Sequence, residues 1–149
     1  MIAYESIYLD TSPLIYFLQN SERYFPVMKQ FFREAFYRNA IFKTSVITVE
    51  EFLVYPYKAG RMELKRNFYE WLDRAEIELL PITTSIADRA AEIRGKYCGF
   101  KGMDALQLAS FQKSGCEVFL TNDKQLMQFD EKRIVLVDNL RIHAIKGEK

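Results

Sequence analysis

The chain has 149 residues, 49% of them hydrophobic, which is enough to bury about two thirds of its unfolded surface around one core and too little for two ordinary domains. With 21 basic against 20 acidic residues the net charge is +1, so no global field draws the protein to nucleic acid or to an anionic membrane, and any contact with such partners must come from local patches. The two cysteines, Cys98 and Cys116, form no CxxC or CxxH pattern and read as buried free thiols. No run approaches 18 consecutive apolar residues, and the N-terminus lacks the features of a secretory leader, so a soluble cytoplasmic protein is expected.

In chain order, short β-rich runs alternate with longer amphipathic stretches. Predicted strands are 6–9, 40–44, 77–80, 117–120 and 134–137. Predicted helices are 13–19, 23–38, 49–57, 62–75, 86–97 and 103–113. Strands separated by helices require crossover connections, hence a mainly parallel sheet covered on both faces. Without repeats, linkers or low-complexity tracts, residues 1–149 read as a single domain whose tail, 139–149, is peripheral. Phe25, Met28, Phe32, Ala35 and Phe36, widened by Tyr24 and Phe31, recur at helical spacing and read as core, with a possible extension onto a partner surface.

Ligands of open parallel sheets bind outside the carboxyl ends of the strands. Three acids are delivered there by topology: Asp10 directly follows strand one, Glu51 lies in the helix after strand two, and Asp123 follows strand four. Asp104 opens the helix leading into strand four and joins them only if that helix starts at the same rim. Two carboxylates about 4 Å apart repel by roughly 4 kcal/mol at an effective dielectric near 20, a cost that a divalent cation removes. An all-oxygen donor set suits Mg²⁺ or Mn²⁺, whereas the single histidine, His143, and the absence of a thiolate cluster disfavour zinc. Three of the acids also have an ordinary structural explanation, and Asp10 is harder to explain in that way. Thr48 to Glu51 spells a helix capping box, Asp104 suits a first helical turn and Asp123 an N-cap, while Ser12 before Pro13 takes the cap role that Asp10 would otherwise fill.

The segments around these acids form a recognisable set. Ile7-Tyr8-Leu9-Asp10-Thr11-Ser12 resembles the opening motif of PIN-domain nucleases, and Ser45-Val46-Ile47-Thr48-Val49-Glu50-Glu51 resembles their Ser-x-x-Thr-x-x-Glu motif, selecting Glu51 over Glu50. Asp104-Ala105-Leu106-Gln107-Leu108-Ala109 and Thr121-Asn122-Asp123 resemble the third and fourth motifs, in the right order. The resemblance implies an α/β fold with a five-stranded sheet in the order 3-2-1-4-5, placing the switch point between strands one and four. It also implies a Mg²⁺- or Mn²⁺-dependent endoribonuclease. In that reading Asp10, Asp104 and Asp123 are the principal metal ligands, and Glu51 binds metal through water or orients the nucleophile. Thr11, Ser12, Thr121 and Asn122 are expected to orient the carboxylates. Lys101 and Lys124 are the best-placed cations for RNA contact, ahead of Lys43, Lys58, Arg61, Lys65 and Arg66. Within the family the compact length resembles the toxins of VapBC toxin–antitoxin pairs, implying an antitoxin partner and a homodimer.

Other classes fit less well. A catalytically inactive PIN-like RNA- or protein-binding module is disfavoured by the presence of all four acids. A phosphoaspartate hydrolase needs a second Asp where Ser12 stands, and a receiver needs an Asp at the end of the third strand, which instead runs Leu80-Pro81.

Overall fold

The computed structural model describes residues 4–140; His143 and the tail from 141 onward lie outside the described residues. Five strands, β1 (Ser6–Leu9), β2 (Ile41–Ser45), β3 (Glu78–Leu80), β4 (Val118–Thr121) and β5 (Ile134–Leu136), form one sheet in the order β3-β2-β1-β4-β5. All four pairings are parallel, with Ile7 opposite Phe42 on one side of β1 and Val118 on the other. The implied order is therefore observed, and the switch point falls between β1 and β4.

β1 lies at the centre because it is apolar on both faces. Ile7 and Leu9 point into one core, Tyr8 into the other, and all three are fully buried. β4 follows the same alternation, with Val118 and Leu120 on the first face and Phe119 on the second. Helices α1 (Thr11–Leu18), α2 (Phe25–Tyr37), α3 (Val46–Ala59) and α4 (Met62–Arg74) close the first core, supplying Leu14, Met28, Phe32, Phe52 and Phe68. Helices α5 (Thr84–Lys96) and α6 (Gly102–Ser114) close the second with Ile86, Ile93, Leu108 and Phe111. A short 3-10 helix over Lys124–Gln128 joins β4 to the route back into β5. No helix among the described residues is long and apolar enough to cross a membrane.

The helices start and stop at chemically explicable places. α3 ends where Gly60 adopts φ +66°, turning the Arg61 amide back onto the Pro56 carbonyl at 2.9 Å. Asn39 and Glu76 perform the same left-handed turn after α2 and α4, letting Ala40 reach Ala35 and Ile77 reach Leu72, each at 2.9 Å. Asn tolerates this conformation; Glu76 holds it at some cost because the closure drives Ile77 into the core.

Three local expectations are corrected. The N-cap of α1 is Asp10 rather than Ser12: the helix starts at Thr11, and the Asp10 side chain accepts the Thr11 amide. The capping box at Thr48 and Glu51 does not form, because α3 starts at Val46 under Ser45, whose hydroxyl accepts the Ile47 amide and leaves both residues inside the helix. Finally, Cys98 is exposed, since α5 ends before it at Lys96, whereas Cys116 is buried as expected.

The α2 stripe is mostly core. Phe32 is 2% exposed and meets Trp71 at a ring-centroid distance of 4.8 Å and Phe42 at 5.3 Å, so it bridges α2, α4 and β2. Replacing it with Ala removes a large buried ring at the junction of three elements. Phe32→Ala is expected to lower the unfolding free energy by about 3–5 kcal/mol in a denaturant titration, whereas a loss below about 1 kcal/mol would show that this cluster does not anchor α2.

Candidate active site

The parallel sheet delivers the ends of β1, β2 and β4 to one edge, and the residues that follow them are polar. Asp10 is the first residue beyond β1, and its backbone amide is fixed on the Leu120 carbonyl of β4 at 2.9 Å. Its carboxylate is fixed as well. Oδ1 accepts the Thr11 amide at 2.8 Å, and Oδ2 accepts the Thr121 hydroxyl at 2.7 Å. A residue that caps α1 is thereby tied to the end of β4, across the switch point.

Two threonines extend this link in both directions. The Thr121 hydroxyl, donating to Asp10, accepts the Asp123 amide at 3.1 Å, and the Asp123 carboxylate in turn caps the 3-10 helix by accepting the Gln125 amide at 3.0 Å. On the other side Thr11 donates its hydroxyl proton to Glu51 Oε1 at 2.9 Å. The result is a continuous path, Glu51 to Thr11 to Asp10 to Thr121 to Asp123, in which the Thr11 and Thr121 hydroxyls donate to Glu51 and Asp10 and the backbone amides of Thr11 and Asp123 complete the links. Glu51 faces this path from within α3 while Glu50 is exposed, which agrees with the motif spacing.

Asp104 reaches the same edge from α6, resolving the question that strand order left open. It occupies the first turn, where its Oδ2 accepts the Lys101 amide at 3.1 Å, and its charge acts on Asp10. The Asp10 carboxyl is raised from its ordinary range to about 6. Burial is the largest cause; the hydrogen bonds from Thr121 and Thr11 come next and work in the opposite direction, and the charges of Glu51 and Asp104 add smaller upward contributions.

All four acids are half-buried at this rim. Among the described residues no three Asp, Glu, His or Cys side chains close into a ready-made metal cage. Each of the four carboxylates accepts a hydrogen bond from a separate donor group. The chemistry of the set still suits a hard divalent ion: the donors are oxygens only, they are partly sheltered from water, and their charges destabilise one another at Asp10.

The residues expected to support the acids divide into two groups. Thr11 and Thr121 bond directly to Glu51 and Asp10. Asn122 does not orient a carboxylate: its amide donates to the Tyr16 hydroxyl at 3.1 Å and its carbonyl accepts the Asp138 amide at 3.1 Å, so it braces the loop that carries Asp123. Ser12, in the first turn of α1, makes no hydrogen bond to the four acids among the described residues. Lys101 and Lys124 are both exposed beside Asp104 and Asp123.

Sequence reasoning missed two features. The exposed Arg94 of α5 brings a guanidinium nitrogen to within 3.7 Å of where a Cβ on Gly102 would stand, putting a cation over the start of α6, two residues before Asp104. Nothing in the sequence pairs Arg94 with Gly102; the contact depends on how α5 and α6 pack. The second is a buried polar group under the acids, comprising Tyr8, Thr44, Ser45, Thr48 and Gln107. Its signal was a Gln inside an otherwise apolar helical stripe. The exposed large apolar side chains lie mainly on α3 and α4, including Val46, Val54, Tyr57 and Met62, with Phe36 and Tyr37 exposed at the end of α2.

The PIN domain family model matches residues 7–132. No curated protein sequence matches the chain. Among solved structures, the chain is similar to a toxin–antitoxin complex from Klebsiella pneumoniae, with TM-score 0.66 and 22% identity over 88% of this chain and 97% of that one. It is also similar to VapBC2 from Rickettsia felis bound to a DNA fragment from their promoter, with TM-score 0.70 and 15% identity over 88% and 98% of the two chains. DNA-bound VapBC from Salmonella typhimurium gives TM-score 0.64 and 20% identity over 89% and 98%. At these identities the likeness speaks for the fold, whereas the family match runs from β1 past β4 and takes in all four acids, and the chain belongs to the PIN domain family.

Proposed function

We propose that this chain is a Mg²⁺- or Mn²⁺-dependent endoribonuclease of the cytoplasm, acting as the toxin of a toxin–antitoxin pair. The observation that carries the catalytic part is the path of hydrogen bonds, through threonine hydroxyls and backbone amides, that links Glu51, Asp10 and Asp123, with Asp104 acting on Asp10, at the switch-point edge of a PIN-domain sheet. Asp10, Asp104 and Asp123 would hold the cation, with Glu51 holding it through water or orienting the nucleophile. When bound, such an ion polarises a phosphoryl oxygen, lowers the pKa of a bound water and neutralises developing charge. The protein's own part is positional. Thr121 and the Thr11 amide keep the two Asp10 oxygens in one orientation, and Thr11 holds Glu51. Lys101 and Lys124, joined by Arg94, offer cations for the phosphates flanking the scissile bond.

The partner part rests on the three similar structures, whose descriptions name toxin–antitoxin or VapBC assemblies. The apolar groove of about 540 Å³ on α3, lined by Val46, Val49, Leu53, Val54 and Tyr57, is the kind of surface that an antitoxin segment or a second copy would cover. An inactive RNA- or protein-binding module would retain the fold without needing the four acids.

Incubating the purified chain with mixed RNA and Mg²⁺ or Mn²⁺ should yield cleavage that chelator abolishes and that Asp10→Asn reduces by roughly 100-fold or more. Cleavage persisting in Asp10→Asn would contradict the site, and cleavage of DNA but not RNA would contradict the substrate class.

The raised Asp10 pKa gives a stability prediction of definite sign. Because the folded value lies above that of the unfolded chain, the folded state binds more protons between the two, and metal-free stability falls as pH rises from about 4 through about 6. Asparagine removes the charge while keeping an acceptor for the Thr11 amide. In chelator at pH 7.5, Asp10→Asn should therefore unfold at a higher temperature than the parent, by at most about 3 kcal/mol in free energy, with the gap closing towards pH 4. Equal stability of the two proteins at pH 7.5 would show that Asp10 carries no electrostatic penalty.

A further inference from the structure

Beneath the four acids lies a buried set of hydrogen bonds whose direction is fixed by proton counting. The Leu9 carbonyl can only accept, so the Thr44 hydroxyl, 2.7 Å away, spends its one proton there. The 2.8 Å contact between Thr44 and Thr48 must then use the Thr48 proton. Thr48, having donated, accepts from Gln107 at 2.9 Å, which orients the Gln107 amide with its NH₂ towards Thr48. Its carbonyl oxygen faces the other way and accepts the Tyr8 hydroxyl at 2.5 Å and the Ser45 hydroxyl at 3.0 Å. Burial pushes the Tyr8 phenol up, so it stays a donor. Turning the Gln107 amide would place its oxygen against Thr48 with no proton between them. The Thr11 hydroxyl, 3.2 Å from Thr48, is left to donate to Glu51.

Gln107 is 2% exposed, and Thr44, Ser45, Thr48 and Tyr8 are fully buried, so these bonds form without competition from water. Their location is specific. Gln107 lies three residues after Asp104 on α6, and Thr48 lies three residues before Glu51 on α3, so each shares a helix face with a carboxylate of the site. The Gln107–Thr48 bond thus joins α6 to α3 one helical turn from the pair of acids they carry. The Tyr8 bond adds β1, two residues before Asp10.

We propose that Gln107 is a positioning residue for the carboxylate site: by bonding Thr48, Ser45 and Tyr8 at once, it sets the spacing between α6, which carries Asp104, and α3 and β1, which present Glu51 and Asp10, and so determines how tightly a divalent cation is held. The inference rests on the metal-site reading above. A purely structural Gln107 would alter stability alone, whereas a positioning residue alters metal affinity at a given stability.

The test is calorimetric titration of the full chain with Mn²⁺ alone, beside thermal unfolding. Gln107→Leu keeps the approximate volume and removes every hydrogen bond; it should weaken Mn²⁺ binding at least tenfold. Thr48→Val should do the same, while Thr48→Ser, which keeps the hydroxyl, should restore most of the affinity. Ile93→Val, in the core beneath α6, removes no hydrogen bond of the polar set and should lower the melting temperature without changing the Mn²⁺ affinity. If Gln107→Leu does not fold, the contrast between Thr48→Val and Thr48→Ser decides. Folded Gln107→Leu and Thr48→Val proteins that bind Mn²⁺ as tightly as the parent would overturn the role of Gln107 while leaving the site intact. A parent that binds no Mn²⁺, or an Asp10→Asn variant that binds it equally well, would overturn the metal-site reading and this inference with it.

Discussion

The structure turns on the Asp10 carboxylate, whose two oxygens are held from opposite sides by the Thr11 amide and the Thr121 hydroxyl. One residue thus ends the central strand, caps the helix that follows and reaches across to the neighbouring strand. Its charge is held in a sheltered place beside two other acids, and burial and repulsion outweigh both hydrogen bonds. A protein that needed only a helix cap could use Ser or Thr here and avoid that cost. The acid is costly to the fold on its own, and under the proposed function a cation sharing its oxygens would offset that cost.

The fold makes this arrangement possible because its central strands require nothing from solvent. β1 and β4 are sealed on both faces, so their C-terminal ends are the first points at which polar chemistry can emerge, and they emerge side by side. The polar residues continue inward as Thr44, Ser45, Thr48 and Gln107, every one paired, in a layer between the apolar core and the half-buried acids. Such a layer is favourable only when complete, since a buried donor or acceptor left alone costs about 1–3 kcal/mol.

The parallel sheet and the gathering of Asp10, Glu51 and Asp123 were legible in the sequence because each depends on signals that are local or topological: apolar runs of strand length, amphipathic stretches between them, and acids just beyond strand ends; the strand order and the place of Asp104 came instead from the motif resemblance. Helix starts were less legible where two capping residues competed. At Asp10 and Ser12 the motif contained two good caps, and the parallel pairing of Asp10 to β4 settled the choice by fixing its backbone amide. At Ser45 and Thr48 the earlier residue won because the strand ends there, which released Thr48 and Glu51 for longer-range bonds. Gln107 and Arg94 were hidden for another reason, since their partners lie 59 residues away in one case and across a helix packing in the other. No local pattern encodes such pairs.

The claim at the centre is that four carboxylates from separate elements form one divalent-cation site. Adding substoichiometric Mn²⁺ to isotopically labelled protein tests it directly, because the ion broadens backbone amide resonances according to their distance from it. The account expects Thr11, Phe52, Ala105 and Lys124 to broaden together, ahead of other residues and with a common dependence on added ion, and magnesium to reverse the effect. Broadening scattered over unrelated surface acids, or restricted to one of these four segments, would contradict it.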